Sequence, residues 1–123
     1  MSLRVLLIDD HALVRRGLEQ LLQSRGIEVV GSAGSGTEGI ALAMALKPDV
    51  ILLDLNLPDM HGSRVHERLK QDPVTAAVPV IVVSADATSL RISELQRMGA
   101  DRYLTKPINV VELLEIVDSL ATT

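Results

Sequence analysis

The sequence predicts an α/β domain, (βα)5, in which five parallel strands alternate with five helices and form one sheet covered on both faces. Three observations predict it. Runs such as Val50-Ile51-Leu52-Leu53 and Val78 to Val83 are apolar without alternation, as in strands buried on both faces of a parallel sheet. Between those runs the apolar residues recur at three and four positions, the helical period. The links are short, so each helix acts as a right-handed crossover between neighbouring strands.

The elements follow in chain order. Leu3 to Ile8 is the first strand and ends in Asp9-Asp10. Leu13, Val14, Gly17, Leu18, Leu21 and Leu22 then mark a helix stopped by Gly26, for which Asp10 is an expected cap. Ile27 to Val30 reads as the second strand. Ser35-Gly36-Thr37-Glu38 has the spacing of a capping box and opens an Ala-rich helix that stops before Pro48. Val50 to Asp54 is the third strand, followed by a loop from Leu55 to Gly62 and a helix through about Lys70. Pro73 to Pro79 connects to the fourth strand, which ends in Ser84-Ala85. A helix starting near Asp86 to Ser89 ends at Gly99. A short strand around Tyr103-Leu104-Thr105 ends in Lys106-Pro107, and Asn109-Val110-Val111-Glu112 caps the last helix.

Five strands of this kind suit the flavodoxin-like order 2-1-3-4-5, whose switch point lies between strands 1 and 3. Every strand but the second ends in polar residues, and that order brings Asp9, Asp10 and Asp54 to one crevice, with Ser84 and Lys106 arriving from strands 4 and 5. Three carboxylates so close stay ionised only beside a compensating cation. A ligand set of hard oxygens suits Mg2+. A metal-neutralised Asp54 is a nucleophile for a phosphoryl group; Lys106 brings positive charge and Ser84 a hydroxyl donor to the phosphoryl oxygens. His11 and His66 read as helix-surface residues, and Arg15-Arg16 as a solvated face.

Composition narrows the class. The 123 residues are expected to form one domain over 1–123, with no output domain in the chain. The net charge of -4 disfavours direct contact with nucleic acid or an anionic membrane. There is no cysteine, hence no disulfide or thiolate metal site. No run approaches the roughly 20 apolar residues that span a bilayer, so a cytoplasmic domain is expected.

Asp9-Asp10, Asp54-Leu55-Asn56-Leu57-Pro58, Gly62, Ser84-Ala85, Gly99-Ala100, Tyr103 and Lys106-Pro107 together resemble the response-regulator receiver domains of bacterial two-component signalling, over essentially the whole chain. The resemblance implies that Asp54 is the phosphoacceptor. It implies that Asp10, with Asp9 through water, holds Mg2+ together with Asp54 and the Asn56 carbonyl. Lys106 would contact the phosphoryl group, and the Lys106-Pro107 bond would be cis. Gly62 and Pro107 become structural residues, and Ser84 and Tyr103 the switch. Ser84 stands where threonine is commoner, and His61 where many members carry an acid.

The implied partners are a sensor histidine kinase or a histidine phosphotransfer protein, with a homodimer through helix 4, strand 5 and helix 5 as a further expectation. Leu90, Arg91, Glu94 and Arg102 would belong to that face, and Asp86 and Asn56 would tune rates. Two other classes share features. A haloacid-dehalogenase-like phosphatase needs a second acid two residues after its nucleophile, where Asn56 stands. A flavodoxin needs a phosphate loop after strand 1, where Asp9-Asp10 would repel the phosphate. A degenerate receiver that only binds is disfavoured because every reactive position is filled. The Pro73-to-Pro79 connection and Ser84 to Thr88 lean toward the receiver of a hybrid histidine kinase, whereas Asp9 to Arg15 is similar to DNA-binding response regulators.

Overall fold

The structure, a computed structural model, describes residues 3–85, 89–99 and 102–121, and the side chains of all of these but 89–92, 95 and 121. The elements are β1 (Arg4–Ile8), α1 (Ala12–Ser24), β2 (Glu28–Ala33), α2 (Gly36–Leu46), β3 (Val50–Asp54), α3 (Gly62–Gln71), β4 (Val80–Ser84), α4 (Ser89–Met98), β5 (Arg102–Thr105) and α5 (Val110–Ala121). All strand pairs are parallel, in the expected order β2-β1-β3-β4-β5.

Successive strand side chains point to opposite faces, and this splits the core in two. Val5, Leu7, Val50, Leu52, Ile81 and Val83 pack with Leu22 of α1 and with Leu113 and Val117 of α5. Leu6, Ile8, Ile51, Leu53, Val80 and Val82 pack on the other face with Ile40 and Ala43 of α2 and with Val65 and Leu69 of α3. Each fully buried Leu, Ile or Val contributes about 1.5–3 kcal/mol. The unalternating runs are needed because both sheet faces are covered.

Several boundaries differ from the sequence expectation. β2 runs to Ala33, beyond Val30, although Gly31-Ser32-Ala33 has the composition of a turn. The ladder overrides that preference: Leu6 pairs with Gly31 after a register shift that skips Val30, and the Asp9 N–H donates to the Ala33 carbonyl at 2.9 Å. A Cβ at Gly31 would lie 2.9 Å from Leu46 Cδ1, so any larger residue there would have to displace the end of that side chain. β4 starts at Val80 because Pro79 has no N–H to give the ladder; its carbonyl accepts from Ile51 N at 3.0 Å.

The helix ends follow the sequence in most places. Gly26 and Gly99 take left-handed φ of 77° after α1 and α4, and the Ser35 Oγ and Asn109 Oδ1 accept from Glu38 N and Glu112 N at 3.2 and 3.0 Å. α1 is the exception. Its N-cap is His11, which makes no side-chain capping bond, so Asp10 does not cap it. Leu13 is 82% exposed, and Leu22 is the fully buried residue of this helix. Arg15 is not a solvated charge: its guanidinium donates to the Asp9 carbonyl. His66 is buried on α3 rather than at the surface. α4 begins at Ser89, within the start expected near Asp86 to Ser89; residues 86–88, and the side chains of Leu90 and Arg91, lie outside the described residues.

One clamp has no local sequence signal. Asp59, in the loop between β3 and α3, accepts from Gly36 N (2.7 Å), Thr37 N (2.9 Å) and Thr37 Oγ1 (2.7 Å) at the start of α2. These bonds to the ionised form, led by that from Gly36 N, lower its pKa to about 2. A depressed carboxylate stabilises the fold fully above its unfolded value of 3.8 and stops doing so as pH falls through about 2. Asp59→Asn is therefore expected to be less stable than wild type to urea at pH 7, with the two curves converging as pH falls from about 4 toward 2. A difference that stayed constant over that range would mean that the charge is not what holds α2.

Candidate functional site

The parallel ladder sets the strand ends level. Ile8 pairs with Leu53, Asp54 with Val83, and Ser84 with Thr105, so Asp9, Asp54, Ser84 and Lys106 all arrive at the C-terminal edge of the sheet. Asp54 is deeper than a strand-end acid open to solvent, at 2% exposure, and Asp9 and Ser84 are buried as well. Its charge is met from two sides. Oδ1 accepts from Asn56 N at 3.0 Å, and Lys106 Nζ lies 3.0 Å from Oδ2.

Lys106 Nζ also lies 3.2 Å from Asp9 Oδ2, bridging the acids that follow β1 and end β3. Its backbone is fixed by an N–H donated to the Ser84 carbonyl at 2.9 Å, and the Lys106-Pro107 bond is cis, as the resemblance implied. Burial pushes the Asp54 carboxyl up; the Asn56 N–H and Lys106 oppose this without cancelling it, and the Asp9 charge adds to the rise. Burial alone would lower the Lys106 ammonium, but the hydrogen bond from it to Asp54 and the charges of Asp54 and Asp9 outweigh that and raise it.

One oxygen each from Asp9, Asp10 and Asp54 and one nitrogen from His11 lie within 4.8 Å of one another. Lys106 offsets one of three negative charges. The remaining charge and the hard donors fit a divalent cation such as Mg2+, with Asp10 on the solvent side. His11 was not foreseen here; its only sequence signal is that it directly follows the acid pair. Its Nδ1 lies 3.2 Å from both Asp9 Oδ1 and Asp10 Oδ1, and its N–H donates to Asp9 Oδ1 at 2.8 Å. Arg15 adds a tether one turn into α1. Asp59 fixes the far end of the loop that carries Asn56, and that loop is closed by a bridge between Asn56 and His61. His61 is the N-cap of α3, its Nδ1 accepting from Ser63 N at 3.1 Å.

A doubly wound domain with a buried strand-end aspartate, a bridging lysine and an acid pair is of the signalling phosphoacceptor class. The model of the response regulator receiver domain family matches residues 5–118, and the chain belongs to that family. A nitrate/nitrite response regulator protein homolog of Haemophilus influenzae is 43% identical over 121 residues, 98% of this chain and 57% of the relative. NarP, a nitrate/nitrite response regulator protein of Escherichia coli, is 45% identical over 115 residues, 93% of this chain and 53% of its own length. The chain thus spans a little over half the length of these relatives. Protein PilH of Pseudomonas aeruginosa is 34% identical and matched over 96% of its length, and over 95% of this chain.

Among solved structures, the response regulator domain of Thermotoga maritima CheB superposes with a TM-score of 0.86 at 32% identity, covering 100% of this chain and 98% of that one. The signal receiver domain of a DNA binding response regulator protein from Colwellia psychrerythraea gives 0.90 at 27%, covering 99% and 100%. The chain is a receiver domain for phosphorelay signalling, a signalling phosphoacceptor, and receiver domains work with histidine kinases. Among the described residues no helix is long and apolar enough to cross a membrane.

Proposed function

We propose that Asp54 accepts the phosphoryl group of a phosphohistidine carried by a sensor histidine kinase or a histidine phosphotransfer protein. The observation that carries this reading is Lys106 Nζ held between Asp54 and Asp9 at 3.0 and 3.2 Å, beside the open acid Asp10. An Asp54 oxygen forms the new bond to phosphorus as the bond from phosphorus to the imidazole nitrogen breaks, and the electron pair leaves with the imidazole. Lys106 follows the charge onto the phosphoryl oxygens, and the Asn56 N–H keeps the carboxylate oriented. Bound Mg2+ would offset the charge of carboxylates and phosphoryl group; Asp10, Asp54 and the Asn56 carbonyl would hold it, with Asp9 acting through water. Pro107 turns the chain away after Lys106, and Gly62 lets the loop close.

Removing one ligand charge tests the metal assignment. A unit charge at about 4 Å is worth roughly 1 kcal/mol in water and up to about 4 near a protein surface. Asp10→Asn should therefore weaken Mg2+ about tenfold or more and slow phosphorylation by acetyl phosphate in parallel, with a smaller effect for Asp9→Asn. Equal Mg2+ affinity in wild type and both variants, measured by calorimetry, would move the cation elsewhere.

The switch is proposed on Ser84 and Tyr103. Ser84 is buried one residue beyond the Val83 that pairs with Asp54, within reach of a new group there, and Tyr103 is 37% exposed on the edge strand beside Val82. A phosphoryl group brings up to about two negative charges and three acceptor oxygens. Ser84 donates to one of them and Tyr103 turns inward, altering the α4-β5-α5 face for a partner or a second copy. Ser84→Ala should still accept phosphate at Asp54 but lose the response of α4 and Tyr103 in NMR spectra with beryllofluoride, a stand-in for the phosphoryl group. Equal shifts in wild type and variant would remove Ser84 from the coupling. The nitrate/nitrite relatives support a response regulator, rather than a hybrid kinase, as the parent protein.

A further inference from the structure

We propose that His11 makes this a mixed nitrogen–oxygen metal site, which takes first-row transition metals through its imidazole in addition to Mg2+; this rests on the reading of Asp9, Asp10 and Asp54 as the cation site. His11 Nδ1 sits 3.2 Å from Asp9 Oδ1 and 3.2 Å from Asp10 Oδ1, and those atoms and an Asp54 oxygen share one 4.8 Å cluster. Two ligands at right angles, each about 2.1 Å from one cation, are about 3.0 Å apart. His11 Nδ1 and Asp10 Oδ1, 3.2 Å apart, therefore already have the spacing of two adjacent ligands on one cation, with Asp9 acting through water.

The ring is held for that role from the backbone. The His11 N–H donates to Asp9 Oδ1, and Asp9 is itself fixed by its N–H to the Ala33 carbonyl and by Arg15 on its own carbonyl. The side chain is 60% exposed yet turns Nδ1 toward the acids, and it does not cap α1. Coordination uses the Nδ1 lone pair, with the ring proton on Nε2. Mg2+ prefers oxygen and water and gains little from an imidazole, whereas Ni2+, Cu2+ and Zn2+ gain much. An all-oxygen site already favours Ni2+ over Mg2+, so the contribution of His11 is the change in that preference when the ring is removed.

The experiment titrates wild type, His11→Ala and His11→Gln with Mg2+ and with Ni2+ by calorimetry, and tests whether Mg2+ displaces the Ni2+. The expected result is an Ni2+-to-Mg2+ affinity ratio about tenfold or more lower in both variants. Cu2+ bound to wild type should show nitrogen superhyperfine splitting in its EPR spectrum that is lost in both. An unchanged ratio with unchanged splitting overturns the role of His11 while leaving the cation site standing. Wild type that binds neither metal overturns the cation site, and the inference with it.

Discussion

Asp54→Asn is expected to take up no phosphoryl group, where wild type with Mg2+ and acetyl phosphate gains one that survives acid and is lost in base. An amide is no comparable nucleophile. Asp9 also has a backbone donor, the His11 N–H on its Oδ1, and Lys106 at 3.2 Å, so absence of label on the variant also excludes Asp9 as a second acceptor. The substitution keeps the shape of the side chain and an oxygen for Asn56 N. It also removes the repulsion between Asp9 and Asp54, and Lys106 retains Asp9 at 3.2 Å. Unfolding is thus not the expected cause of the loss, and an unchanged melting curve beside absent label in intact-mass spectra separates the two. Labelling of Asp54→Asn at the wild-type rate would overturn the assignment.

The second large effect is on the loop. A Cβ at Gly62 would lie 2.5 Å from Leu55 Cα and 2.7 Å from the Asp54 carbonyl oxygen, both backbone atoms that cannot swing aside. Gly62 N also donates to the Leu55 carbonyl at 2.8 Å, so α3 cannot back away without breaking that bond. Overpacking of this kind costs about 1–3 kcal/mol, and more where backbone must move. For a chain of this size, at about 4 °C per kcal/mol, Gly62→Ala should melt roughly 4–12 °C lower. It should also bind Mg2+ more weakly, since the residues displaced are Asp54 and its neighbour. Gly17→Ala is the control: nothing lies within 4 Å of that Cβ, and exchanging a mid-helix glycine should stabilise by up to about 1 kcal/mol. If Gly62→Ala melted with wild type, the close approach would not constrain the loop.

The strand order and the convergence of Asp9, Asp54, Ser84 and Lys106 on one sheet edge were legible because they rest on strong local signals. Unalternating Val, Ile and Leu runs have few other uses in a chain of this length, and polar residues at the same end of successive parallel strands must converge. What was missed depends on partners distant in sequence or on direction within a turn. The extension of β2 through Gly31 to Ala33 is decided by the ladder to β1 and not by the residues themselves. Asp59 looks like any loop acid until Gly36 and Thr37, more than twenty positions earlier, are seen to face it. His11 and Arg15 read as surface residues because periodicity tells which side of a helix they occupy, not that α1 starts beside the acids. Leu13 shows the converse: an apolar residue in helical register that the fold leaves outside.

The lysine bridge links residues from opposite ends of this domain. Asp9 is made first, Asp54 later, and Lys106 only after all five strands, and the bridging geometry exists only when β5 has joined the sheet beside β4. A nascent or proteolysed chain that lacks β5 still holds all the acids but not the cation that balances them. On the proposed role of Lys106 such a fragment has no complete acceptor, and a truncated copy of this receiver is expected to take up no phosphoryl group.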